Sequence, residues 1–137
     1  MGMLSIVNKY LIKNLYMIEN INTLVPSFIL ENIEVSKDAA LKYGTKFISV
    51  DTKLAVGSIN ITLINIGSKI GEAPEGYEIS IKDIADNATV NNIKISAVSG
   101  NTIEIKGEEI NKNGGFLKLR SNGKDGVKGK WFITSII

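Results

Sequence analysis

The sequence contains no cysteine and no histidine. Without cysteine there can be no disulfide, no thiolate zinc site and no iron–sulfur cluster. Without histidine the usual general base, the triad base and the commonest transition-metal ligand are missing. A metal would have to be a hard cation held by oxygen, and no cofactor is expected. Arginine occurs once, at Arg120, and tryptophan once, at Trp131. A single arginine is too few for an interface built on bidentate phosphate clamps. The balance of 16 Lys and Arg against 14 Asp and Glu leaves a net charge of +2, so bulk charge points to no nucleic-acid partner. No apolar run reaches the roughly 18 uncharged residues of a helical span, and membrane insertion is not expected.

What is there reads as a globular chain. Its 137 residues are 44% hydrophobic and 22% charged. A domain of this length buries roughly two-thirds of its unfolded surface and needs no covalent staples. The enrichment in Ile, Asn and Lys suggests an AT-rich coding genome and carries no information about fold.

The first 22 residues differ from the rest. Leu4, Val7, Leu11, Leu15 and Ile18 recur at helical spacing, with Asn8, Lys9, Lys13, Asn14 and Glu19 opposite. The spacing predicts a helix that packs on the body or on another subunit. Those five apolar residues are the candidate partner-binding face. An extended arm is the alternative, because tyrosine and β-branched residues are frequent there. Lys13 interrupts the apolar run too early for a secretory signal. Pro26 ends any helix that reaches it. Residues 28–35 read as a short strand. Residues 36–38 form a turn or N-cap before Ala39 to Lys42, and Gly44 closes that element. Residues 1–45 are therefore expected to be an N-terminal helical anchor and junction, and residues 46–137 a β-module.

From Lys46 onward the pattern is short strands separated by Gly, Asn, Asp and Pro. The most distinctive stretch is residues 77–96. Glu78, Ser80 and Lys82 alternate with Tyr77, Ile79 and Ile81, and Asn92, Lys94 and Ser96 alternate with Ile93 and Ile95. An Asp- and Asn-rich loop joins the two runs. Further strands are expected at 47–50, 59–66, 102–106, 108–111, 116–120 and 130–136. The fold expected is mainly β, a small antiparallel β-sandwich or β-roll with an N-terminal helix.

Sites for chemistry are scarce. Glu72, Glu75 and Glu78 lie close in sequence, as do Glu108 and Glu109, but Glu78 sits on a strand's polar face and Glu108 and Glu109 point to opposite faces of a strand. A glycosidase pair is thus disfavoured against solvated surface. Asp83, Asp86 and Asn87 lack the EF-hand pattern and read as residues that stabilise their own loop. Gly67-Ser68-Lys69 is not a phosphate-binding loop. Lys124, Lys128 and Lys130 make the 121–129 loop locally basic, and a flexible surface hairpin is expected there. Trp131 and Phe132 are strand neighbours and face opposite ways. One enters the core; the other is open to solvent or to a subunit. Trp131 is the candidate ligand contact.

The order of motifs resembles a β module recurrent in tailed-phage virion proteins. The matching pieces are Ile81-Lys82-Asp83, Ala88 to Ile95, Ser99 to Ile103, Ser121-Asn122-Gly123 and Trp131 to Ile133. They cover about two-thirds of the chain, and their order carries the specificity. The long loop after Ile66 and the lysine-rich stretch before Trp131 depart from the pattern. The resemblance implies a non-enzymatic virion component, made in the host cytoplasm. It would be a tail fibre, baseplate appendage or head decoration, commonly a homotrimer. Its partners would be itself and other virion proteins. The alternative is a carbohydrate-binding module that recognises a host-surface glycan.

Overall fold

The computed structural model describes residues 32–137 apart from 105–107. The expected helix over residues 1–22, with Leu4, Val7, Leu11, Leu15 and Ile18, lies outside the described residues.

The described chain forms strands β1 (Asn32–Val35), β2 (Ala39–Ala40), β3 (Phe47–Val50), β4 (Ile59–Thr62), β5 (Glu78–Asp83), β6 (Ile93–Ser96), β7 (Thr102–Ile103), β8 (Glu109–Ile110), β9 (Phe116–Ser121) and β10 (Lys130–Ile136). A single 3-10 turn, Gly126–Lys128, precedes β10. The strands form a six-stranded sheet in the order β1-β3-β5-β9-β10-β7 and a four-stranded sheet in the order β2-β4-β6-β8. Up to β9, every strand lies in the other sheet from the strand before it. β1, β3 and β5 therefore pair in parallel in one sheet, and β2, β4 and β6 do so in the other. The coil then reverses. β8 pairs antiparallel to β6, and β9 pairs antiparallel to both β5 and β10.

The mainly-β expectation holds, but the antiparallel one does not: both sheets are mixed. The physical reason is that polar–apolar alternation has period two whichever way a partner runs. The pattern marks strands without marking their direction. Residues 32–45, read from sequence as junction, carry β1 and β2, the outermost parallel strands of the two sheets.

The core lies between the sheets. Ile48 pairs across to Ile81 and then Leu117; Ile79 pairs to Leu119. In the facing sheet Ile59 pairs to Ile93 and then Ile110, and Ile61 to Ile95. All are buried, as is Trp131 on β10. Each such side chain contributes roughly 1.5–3 kcal/mol on burial, so isoleucine supplies most of what holds the two layers together.

The coiled path also sorts the loops. Segments 36–38, 51–58, 84–92 and 111–115 gather at one end of the sheets. Segments 41–46, 63–77, 97–101 and 122–129 gather at the other.

Candidate functional site

At the first end the organising group is Asp83, the last residue of β5. Its carboxylate is buried. One oxygen accepts from Thr52 Oγ1 at 2.6 Å and from the N–H groups of Ala85 and Asp86 at 3.1 Å. The other accepts from the N–H groups of Asn87, Ala88 and Gly114, each at 3.0 Å. Those donors come from three loops, so one side chain joins the 51–58, 84–92 and 111–115 segments. Burial alone pushes the Asp83 carboxyl up, but the Thr52 hydroxyl and the N–H groups of Gly114, Ala85 and Ala88 outweigh it and hold it below the usual range. Asn91 adds a second link: its Nδ2 donates to the carbonyls of Thr52 and Ala55. Asn113 closes the third, accepting from Thr89 N–H and hydroxyl. Each oxygen of Asp83 thus accepts from three protein donors.

The buried pins of the opposite end are neutral. Asn101 is buried; its Oδ1 accepts from Ile66 N–H at 2.9 Å and its Nδ2 donates to the Gly126 carbonyl at 3.0 Å. Tyr77 donates its hydroxyl to the Thr45 carbonyl at 2.7 Å and accepts from Gly44 N–H at 2.9 Å. Asn122 accepts from Lys124 and Lys130 N–H and donates to the Lys128 carbonyl. The 121–129 segment, expected to be a flexible hairpin, is thus tied at several points. Gly123 has φ +73, and a Cβ there would lie 2.4 Å from Glu75 N, so the 67–76 and 121–129 loops are in backbone contact. These two loops share one end of the sheets. The 83–91 loop stands at the other.

Of the described carboxylates, Glu72 and Asp125 approach each other at Gly67, where a Cβ would meet both. Glu78 faces Lys118 at 3.4 Å on the outer side of the six-stranded sheet. Glu72 accepts from Asn65 Nδ2 and Lys69 N–H. Glu109 accepts from Asn111 Nδ2. Among the described residues no group of three or more acidic side chains is placed to hold a metal ion.

The outer face of the six-stranded sheet is the broadest side-chain surface. Cross-strand partners set its rows: Phe47 with Ser80 and Lys118; Lys82 with Phe116; Glu78 with Arg120 and Phe132. Phe47 and Phe116 are half-buried and Phe132 is 41% exposed. Trp131, the sequence candidate for ligand contact, is completely buried and offers no ring face to a ligand. Its indole Nε1 has no hydrogen-bond partner among the described residues. The residue open to solvent is its neighbour Phe132. Alternation showed that the two rings part, and register against β9 decides which goes inward. The other outer face is neutral and polar, with Ser96 Oγ donating to Asn60 Oδ1 at 2.8 Å. Among the described residues, shallow grooves of about 170–360 Å³ open among the loops, one lined by Lys37 and Asp38, another by Tyr43, Lys69 and Glu72, and another by Glu109 and Lys112.

Sequence reasoning found Asp83 as a loop-stabilising residue and missed Thr52, Asn101 and Asn122. The signal for the two asparagines was their place beside glycine in turns. Thr52 carried no local signal, because its partner is 31 residues away. No protein-family model matches the chain, and no curated protein matches it.

Proposed function

We propose that this chain is a non-enzymatic structural protein of a tailed bacteriophage or phage-tail-like particle. It is mounted as a peripheral appendage, a tail fibre, baseplate component or capsid decoration, and acts by protein–protein binding. The observation that carries the reading is the ordered motif series at 81–83, 88–95, 99–103, 121–123 and 131–133. The conspicuous residues of that series work inside the fold: Asp83, Asn91, Asn101 and Asn122 pin loops, and Ala88 and Trp131 are buried. A module whose signature is spent on its own architecture functions through where it is mounted.

In this reading residues 1–22, through Leu4, Val7, Leu11, Leu15 and Ile18, dock the module on sister subunits or on the particle. The assembly is a homotrimer located in the virion. Immunogold labelling of purified particles with an antibody to the β-module tests the placement. Labelling on tails or heads is expected, and unlabelled particles from a producing lysate would remove the reading. Light scattering tests the trimer, which a monomer mass at micromolar concentration would exclude.

A second reading is a module that binds host-surface glycan. What favours it is that Phe47, Phe116 and Phe132 share one outer sheet face, each in its own cross-strand row, where a purely solvated surface has no need of aromatic rings.

A further inference from the structure

We infer that the outer face of the six-stranded sheet binds an anionic polysaccharide, with sugar rings against Phe132 and Phe116 and acidic groups on Lys118, Arg120 and Lys130. The inference rests on the glycan reading above and adds the face and the charge of the ligand.

Three observations carry it. The first is charge. β5, β9 and β10 turn Lys82, Lys118, Arg120 and Lys130 to the outside, against Glu78 alone on the same three strands. Four of the 16 Lys and Arg, including the sole arginine, thus share the outer side of these three strands, with Glu34 the exposed acid on the more distant β1. Such a surface raises the local concentration of a polyanion. The second is that these cations are held in place before any ligand arrives. Lys118 is positioned by Glu78 at 3.4 Å. Lys82 donates to the Gly114 carbonyl. Lys130 lies over the Phe132 ring, 5.7 Å from its centroid. The Arg120 guanidinium rests over Gly76, where a Cβ would stand 3.3 Å from it. Long side chains ordered in advance lose less entropy on binding. The third is the interleaving of rings with cations: Phe116 is opposite Lys82, and Phe132 is opposite Arg120. A ring face packs on the apolar face of a sugar while the neighbouring cation meets its acidic substituent.

The outer face of the four-stranded sheet serves as the internal control. It carries Asn60, Thr62, Lys94, Ser96 and Glu109, with Lys94 opposite Glu109, and it has neither a cation cluster nor a ring.

The test is binding of the full chain to dextran, dextran sulfate, polyphosphate and oligo(dT), measured by calorimetry at low salt. Dextran and dextran sulfate differ only in charge, and polyphosphate supplies charge without sugar. Dextran sulfate is expected to bind at least about tenfold more tightly than the other three, and to weaken as salt screens the face. The Lys118→Gln/Arg120→Gln double variant should lose about tenfold or more, and Lys94→Gln on the opposite sheet should lose nothing. Phe132→Ala should weaken dextran sulfate about threefold without moving the residual polyphosphate signal. Circular dichroism confirms that each variant is folded. Equal binding of dextran and dextran sulfate would overturn the inference and leave the glycan reading standing. Binding to none of the polymers would remove both. Polyphosphate or oligo(dT) binding as tightly as dextran sulfate, or an unaffected double variant, would also overturn it.

Discussion

The two loop ends solve one problem in different ways. Each must fasten several irregular segments whose backbone N–H and carbonyl groups lack a sheet partner. The Asp83 end gathers six donors from three loops on a single buried carboxylate, with Asn91 and Asn113 as further links. The opposite end divides the task among Asn101, Tyr77 and Asn122, each neutral and each serving its own pair or trio of partners. An ionised hub makes stronger hydrogen bonds per donor, but its loss orphans every donor at once. Separate amide and hydroxyl pins fail one at a time. The comparison teaches that the first end should be cooperative and acid-sensitive, and the second graded.

The largest expected effect comes from removing the hub. Asp83→Ala leaves the N–H groups of Ala85, Asp86, Asn87, Ala88 and Gly114 and the Thr52 hydroxyl without their acceptor. Only the Ala88 N–H and the Thr52 hydroxyl among these are buried; at about 1–3 kcal/mol per buried unmet donor, the loss is still a large part of the roughly 5–15 kcal/mol that holds a domain folded. The variant should melt at a much lower temperature by circular dichroism. Asp83→Asn keeps the shape but replaces an acceptor oxygen with a donor, and should cost about 3 kcal/mol in urea unfolding.

Acid is the next lever. The folded-state pKa of Asp83 lies below its value in the unfolded chain, which is about 3.9. The stabilisation is therefore complete above about pH 4 and is lost as pH falls from there through the folded-state value. Urea midpoints taken from pH 6 down to pH 2 should drop in the native chain and drop less in Asp83→Asn. Equal slopes would mean that Asp83 is not the acid-sensitive group.

At the other end Asn101→Ala orphans the buried Ile66 N–H and frees the Gly126 carbonyl, a cost of about 2 kcal/mol. If it matches Asp83→Ala, the contrast between hub and pins is wrong. Tyr77→Phe removes only a hydroxyl with two backbone partners and should cost about 1 kcal/mol. Smallest is Lys124→Ala with Lys128→Ala at the exposed tip of the 121–129 loop, expected to fall within about 0.5 kcal/mol. These variants also separate loop anchoring from loop charge at that end.

Much of the strand inventory was legible in the sequence. Residues 78–83, 93–96, 116–121 and 130–136 show themselves by alternation, because in each strand one face enters the core. Strand direction was hidden, since Ile79 and Ile81 would point inward beside a parallel or an antiparallel neighbour. The element at 39–42 was marked only by the turn or N-cap signal at 36–38, and the structure makes Ala39–Ala40 a strand on β4; its pairing partner lies 22 residues away, beyond any local pattern. Asp83 was legible as the group that stabilises its own loop. Its reach to Thr52 and Gly114 was not, because those contacts exist only once the coil has stacked β3 beside β5 and returned β9 to it. The burial of Trp131 depended in the same way on a cross-strand register that no local pattern carries.

The coiled path has a mechanical consequence. β1 runs parallel to β3 and β5, β9 runs against them, and β10 runs against β9, so β1 and β10 point the same way. A tension applied at Asn32 and Ile137 therefore pulls along the strand axes. The hydrogen bonds of β1 to β3 and of β10 to β9 and β7 are then strained together, in shear, instead of opening in succession as in a peeled hairpin. A small domain stitched this way resists stretching along one direction far better than across it.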